Sequence, residues 1–309
     1  MPEGWATVSA VTIVAAGTFE RIYDPSVGEA ERWYINDHTF ICDHIGTWHL
    51  IGITHAEPFA PKDELHLAHA TAPELHGPWT KQLFAMSTDF ALGETHLWAP
   101  HVIRHDDRYW MFVCAGGATP ETYRIHLATS DDCWSWERHP ENPLVVDGFE
   151  ARDPMVLRIG DRWVMYYTAT TEVDGGNHVV CATESDDLVH WSGRHVVYTD
   201  AHVGSYGGPT ESPFVVERDG TYFLFMGPAG VPAAMAREAR GEDPDWRTEY
   251  STTIVLASDD PLHFDRSDEV GAIRSHAAEV IVDERGEQWI SHCGWAQRGV
   301  YLAPLRWES

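Results

Sequence analysis

Apolar residues in this chain come in short β-branched and aromatic runs, cut every few positions by Gly, Asp or Pro. Runs of that length bounded by turn residues read as strands. Helical spacing is scarce, clearest in PAAMAREARG at 232–241, so the pattern predicts an all-β chain. One unit recurs: a strand, a charged or Gly-containing turn, then an aromatic strand. It stands as HTFICDHIGTWHLIG from His38, APHVIRHDDRYWMFV from Ala99, DPMVLRIGDRWVMYY from Asp153, SPFVVERDGTYFLFM from Ser212 and AAEVIVDERGEQWIS from Ala277. The matching apolar positions Phe40, Val102, Val156, Val215 and Val280 are 62, 54, 59 and 65 residues apart. A second unit follows most copies: ATSDDCWSW from Ala128, ATESDDLVHW from Ala182 and ASDDPLHF from Ala257, with AHATAPELHGPW from Ala68 as a looser version.

Five hairpin pairs at a period of about 60 predict a single five-bladed β-propeller of four-stranded antiparallel blades. The last copy is followed only by GVYLAPLRW and is one strand short. An amino-terminal strand, within residues 6–15, is therefore expected to close the ring. No linker or composition break divides residues 1–309, so they read as one domain. A two-sheet sandwich would not generate five evenly spaced copies.

Charge narrows the partners. With 48 Asp+Glu against 21 Lys+Arg the net charge is −27. Such a surface repels phosphate, which excludes nucleic acid and anionic membranes and leaves a neutral oligosaccharide or glycoside. No apolar run reaches the length of a spanning helix. The first residues, MPEGWATVSAVTIVAAG, carry Glu3 where a secretory signal would have Lys or Arg, so no signal peptide is expected. Cys42, Cys114, Cys133, Cys181 and Cys293 are odd in number and without CxxC spacing. They read as free thiols, and the expected compartment is the cytoplasm.

In a propeller the first strand of each blade lines the central channel. The strand starts, Asp37, Ala99–Pro100, Asp153, Glu211 and His276, are therefore expected at equivalent positions around one cavity. Three of them are acidic. Glycoside hydrolysis uses one protonated carboxylic acid to protonate the leaving oxygen, and one carboxylate to activate water or attack the sugar. A third negative group nearby raises the pKa of the acid. No HExxH or paired ligand spacing marks a catalytic metal among the 19 His. The segment DAHVGSYGGPT at 200–210 lacks the strand–helix context of a phosphate loop and reads as a rim segment before Glu211. The SDD…W units lack the arginine cluster a sialidase would need.

These motifs carry a family resemblance. ARDPMV at 151–156 resembles the RDP motif of the furanosidase clan that joins glycoside hydrolase families 32, 43 and 68. ESPFVV at 211–216 is similar to the acid-bearing motif of family 43, WAPHV at 98–102 to its second-blade signature, and SDDLVHW at 185–191 to an element of its blades. The resemblance spans roughly residues 33–295. It implies Glu211 as general acid, Asp153 as the carboxylate that modulates the acid's pKa, and Asp37, in WYINDHTF, as base or nucleophile. Trp98, His101, Arg152, Tyr206 and His276 are expected at the substrate. Trp98 and Tyr206 would stack on sugar, and Arg152 would hold a neighbouring carboxylate. His276 resembles the fifth-blade histidine near the axis, where some family members hold calcium; no cofactor is required.

The chain departs from both families. His38 follows Asp37 where both have Pro, and Ser212 follows Glu211 where family 32 has Cys. Asn36–Asp37 is similar to the N-D-P-N-G of family 32, whose carboxy-terminal sandwich has no room here. The balance resembles family 43. The expected activity is an inverting glycosidase acting on arabinofuranosyl, fructofuranosyl or xylosyl linkages. The alternatives are a retaining β-fructofuranosidase of family 32 type and a non-hydrolytic propeller, either a sugar-binding module or a scaffold for other acid–base chemistry. A phosphorylase of family 130 type would need basic residues for phosphate, and the charge argues against it.

Overall fold

In the computed structural model, residues 12–173, 175–204, 207–294 and 298–308 are described. The first elements among the described residues are β1 (Ile13–Ala16) and β2 (Glu20–Tyr23). Blade I follows with β3 (Trp33–Cys42), β4 (Trp48–Ala56), β5 (His66–Ala72), β6 (Thr80–Lys81) and β7 (Met86–Ser87). Blade II holds β8 (Leu97–His105), β9 (Arg108–Gly116), β10 (Tyr123–Ser130) and β11 (Glu137–Arg138). Blade III holds β12 (Arg152–Ile159), β13 (Arg162–Thr170), β14 (Asn177–Ser185) and β15 (His195–Val203). Blade IV holds β16 (Phe214–Arg218), β17 (Thr221–Met226), β18 (Thr253–Ser258) and β19 (Glu269–Ile273). Blade V holds β20 (Val280–Val282), β21 (Gln288–His292) and β22 (Val300–Glu308).

Every blade is an antiparallel meander, and the ring closes as expected. β1 pairs with β22, Ile13 opposite Glu308, to give the order β1-β22-β21-β20. Blades I and V each add a fifth short strand, β7 on β5 and β2 on β22. The predicted helical stretch forms α1 (Val231–Glu238), which with α2 (Trp246–Glu249) occupies the long connection from β17 to β18.

The repeated polar motifs are turns. Ser130 Oγ accepts the backbone N–H of Asp132 and Cys133, and Asp132 Oδ1 accepts those of Trp134 and Ser135. Ser185 and Asp187 do the same for Asp187, Leu188, Val189 and His190. Side-chain oxygens thus satisfy backbone donors that leave the sheet. In each copy the Trp indole then donates to the turn, Trp136 to Cys133 O and Trp191 to Leu188 O. These units are scaffolding.

Among the described residues the apolar side chains form a core at each of the five blade junctions, including I–V (Phe40, Leu50, Ile281, Leu302) and III–IV (Val164, Tyr166, Leu224, Leu256), with a smaller cluster of Ile53, Trp98, Ala99, Cys114 and Tyr123 between blades I and II. Burial between sheets, rather than within one, is what makes five strand sets a ring. The first strands of the blades are thereby pinned around the axis.

Candidate active site

The first strands do not enter the channel smoothly. Pairing shifts register between Ile35 and His38 in β3, Trp98 and His101 in β8, and Arg152 and Met155 in β12. Ala99, Asp153, Ser212 and Ala277 all adopt left-handed backbone, with φ between 45° and 55°. For non-glycine residues that conformation costs about 1–2 kcal/mol each and is characteristic of functional sites.

This bend corrects one expectation. Asp37, Ala99, Asp153, Ser212 and Ala277 each lie three residues before the matched apolar position. Asn36, Trp98, Arg152, Glu211 and His276 lie four before it. Glu211, the expected acid, is therefore one step out of register with Asp37 and Asp153. The bulges let adjacent residues, which would otherwise point to opposite faces, line the same space. Asn36, Asp37, Trp98, Arg152, Asp153 and Glu211 line one pocket. Loops add Phe59, Pro61, Glu64 and Tyr250 to its wall.

Arg152 organises the charges. Its Nη1 lies 2.8 Å from Asp153 Oδ2 and 3.0 Å from Glu211 Oε1, and its Nε 3.6 Å from Glu150 Oε2. The Ser212 backbone N–H donates to Asp153 Oδ2 at 3.1 Å, and the Ser212 hydroxyl donates to Asp37 Oδ1. Tyr250 donates its hydroxyl to Glu211 Oε2 at 3.2 Å. Arg152, Asp153 and Glu211 are all buried.

Burial pushes Glu211 up to about 8; Arg152 pulls it down, while Asp153 and Asp37 push it further up. The group is thus protonated at neutral pH, as a general acid must be. Burial also raises Asp37, against the Ser212 hydrogen bond and Arg152, and raises Asp153 against Arg152. An acid and a partner carboxylate, each with a different set of hydrogen-bond donors, is the arrangement that divides proton donor from base.

The expected substrate residues separate into groups. Trp98 lines the pocket, stacked on His96 at 3.8 Å, with its indole N–H donated to Pro61 O. Arg152 holds carboxylates, as expected. His101 sits further along the channel, below the pocket, with Nε2 3.2 Å from Val156 O and Nδ1 3.5 Å from Glu279. His276 Nε2 lies 3.0 Å from Asn36 Oδ1 and 3.8 Å from Asp37 Oδ2, and Tyr250 packs over its ring at 4.6 Å. Burial lowers His276 to about 4, so it is neutral here. Tyr206 lies outside the described residues.

The axis is a poor match for direct calcium binding. That ion takes six to eight oxygen ligands, whereas His276 is surrounded by Asn36, Asp37 and the imidazole of His292. Among the described residues no three His, Cys, Asp or Glu gather to hold a metal. Sequence reasoning missed Glu64, Ser212 and Tyr250. Only Ser212 had a signal, its repeat position alongside Asp37 and Asp153.

The chain is 24% identical over 241 residues to a probable arabinan endo-1,5-α-L-arabinosidase C of Aspergillus flavus, covering 72% of this chain and 69% of that one. It is 26% identical over 205 residues to a probable sucrose-6-phosphate hydrolase of Psychromonas ingrahamii, covering 64% of this chain and 36% of that one. Among solved structures, the endo-arabinase from Bacteroides thetaiotaomicron superimposes with a TM-score of 0.64 at 14% identity, over 92% of this chain and 97% of that one. The Bombyx mori family 32 β-fructofuranosidase does so with 0.61 at 16% identity, over 90% and 62%. At such identities the two structures share the fold with this chain. The glycosyl hydrolases family 32 N-terminal domain matches residues 29–281, a span that contains Asp37, Asp153 and Glu211; the chain belongs to this family and is a glycoside hydrolase.

Proposed function

We propose that this enzyme hydrolyses furanosidic linkages, α-L-arabinofuranosides foremost, with inversion at the anomeric carbon. The observation that carries the reading is Glu211, raised to about 8 in a pocket it shares with Asp37. Glu211 gives its proton to the glycosidic oxygen as that bond to the anomeric carbon breaks. Asp37 takes a proton from a water whose oxygen bonds to the same carbon from the opposite face. The proton then returns from Asp37 to Glu211 through solvent. Asp153 helps to keep the acid's pKa high, and Arg152 holds its carboxyl in place. The arabinosidase relatives support the sugar, and the ESP and WAPH motifs support inversion.

No cofactor takes part in these proton transfers, and a chelator is expected to leave kcat unchanged. Calcium near His276 would act on structure alone. Five free thiols, four of them buried, suit a reducing compartment such as the cytoplasm.

The family match favours a second reading, retention on β-fructofuranosides with Asp37 as nucleophile. A retaining site holds its two carboxyls about 5–5.5 Å apart and an inverting one about 6.5–9.5 Å, which leaves room for the water. Proton NMR of the first product decides between them. On 4-nitrophenyl α-L-arabinofuranoside the first sugar released is expected as the β anomer. A first product of substrate configuration, or cleavage of sucrose alone, establishes the second reading.

A further inference from the structure

Glu64 stands in the catalytic pocket without a part in the proton transfers. It follows a 3₁₀ turn at Pro61–Asp63, in the loop from β4 to β5. Its backbone does structural work: the N–H donates to Pro61 O, and the carbonyl accepts the N–H of Leu97 at the start of β8. The side chain is not needed for that. It turns instead into the pocket that holds Asp37 and Glu211, and is 2% exposed.

A carboxyl in that position needs hydrogen-bond partners. Asp153 and Glu211 share Arg152, but among the described residues no Lys, Arg or His pairs with Glu64. Its Oε1 accepts the hydroxyl of Tyr34, itself fully buried, at 2.8 Å. Burial raises Glu64 to about 8, with hydrogen bonds from Tyr34 and Trp98 pulling down and the charge of Asp37 pushing up. A carboxyl near that balance can accept from one hydroxyl and donate to another. Apolar ligands would leave it unsatisfied; a cation would find it largely neutral. Vicinal sugar hydroxyls match it in both directions.

We propose that Glu64 is the residue that selects the sugar: its carboxyl, fixed by Tyr34, hydrogen-bonds ring hydroxyls of the glycone held against Asp37 and Glu211. The inference rests on the glycosidase reading only in placing a sugar in this pocket. It is tested by comparing wild type, Glu64→Gln and Glu64→Ala on 4-nitrophenyl α-L-arabinofuranoside and its 2-, 3- and 5-deoxy analogues. In wild type, removing the hydroxyl that Glu64 holds is expected to lower kcat/KM about 10- to 100-fold. In Glu64→Ala that penalty should fall to nearly one. Glu64→Gln keeps the acceptor for Tyr34 and should retain an intermediate penalty in a folded protein. A purely structural role lowers all four substrates by a common factor, so equal deoxy penalties in wild type and both variants overturn the proposal. If wild type cleaves no furanoside, the hydrolytic reading fails. The same comparison by titration calorimetry, with free L-arabinose, D-xylose and D-fructose and their deoxy forms, then decides Glu64 separately. Equal penalties there, or no binding of any of these sugars, overturn it.

Discussion

The hydroxyl of Ser212, the residue after the acid Glu211, donates a hydrogen bond to Oδ1 of Asp37. One left-handed residue of blade IV thus ties the proton donor's own chain segment to the carboxylate of blade I. Burial pushes Asp37 up, and this hydrogen bond is the first of the effects that oppose it. Ser212→Ala removes the donor, so the Asp37 pKa rises. Asp37 must be ionised to act, and the acid limb of the kcat/KM profile is expected to move to higher pH. The basic limb, which reports Glu211, should move little. An unchanged acid limb would show that the hydrogen bond does not govern Asp37.

Glu211 answers to its neighbours in opposite senses. Burial sets it near 8; Arg152 and the Tyr250 hydrogen bond lower it, and Asp153 and Asp37 raise it. Asp153→Asn removes a like charge and frees Arg152 for Glu211, so the acid ionises earlier and the basic limb moves to lower pH. Tyr250→Phe removes a donor to the ionised form, so that limb moves to higher pH. Shifts of the same sign in both variants would contradict the assignment of Glu211 to the basic limb.

Glu211→Gln keeps the shape of the acid but has no proton to give. General acid catalysis is typically worth about 10²–10⁴-fold. Loss in that range is expected on arabino-oligosaccharides, whose alkoxide leaving groups need protonation. A 4-nitrophenyl glycoside leaves with less help and should lose less. Equal losses on both substrate classes, measured as kcat/KM, would remove Glu211 from the acid's role.

The fold was legible in the sequence because a propeller repeats its own grammar. The positions Phe40, Val102, Val156, Val215 and Val280 sit on the five first strands, and β1 at Ile13–Ala16 overlaps the span expected to close the ring. Asp37, Asp153 and Glu211 were legible because motif and repeat coincide. That two adjacent positions of the repeat line the same pocket was not, since it comes from a left-handed turn that period-two reasoning does not contain. Glu64 and Tyr250 were not legible either. They come from the loops 57–65 and 227–252, where no periodicity marks which side chain turns inward. His101 shows the converse: it stands in a motif, yet its ring nitrogens face Val156 O and Glu279 below the pocket.

Gly52 offers a test of how the base is held. It lies on β4 opposite His38, and a Cβ there would meet His38 Cβ at 2.8 Å and Asp37 O at 3.1 Å. Its backbone is not left-handed, so the cost of Gly52→Ala is steric rather than conformational. The methyl must push the bulge of β3 away, carrying Asp37 with it, while Glu211 on the far blade stays in place. Overpacking of this kind costs about 1–3 kcal/mol of stability. A displacement near 1 Å at a reacting group can cost about 10²-fold in rate. Gly46 is the control from the same blade, since its φ is +89° and a Cβ there meets nothing within 4 Å. Gly46→Ala is expected to lower stability through backbone conformation, by about 1–2 kcal/mol, and to leave kcat near wild type. Thermal unfolding and kcat measured together separate the two causes. Wild-type kcat in a folded Gly52→Ala variant would mean that Asp37 is positioned by its hydrogen bond to Ser212 alone and not by the close approach of the two strands.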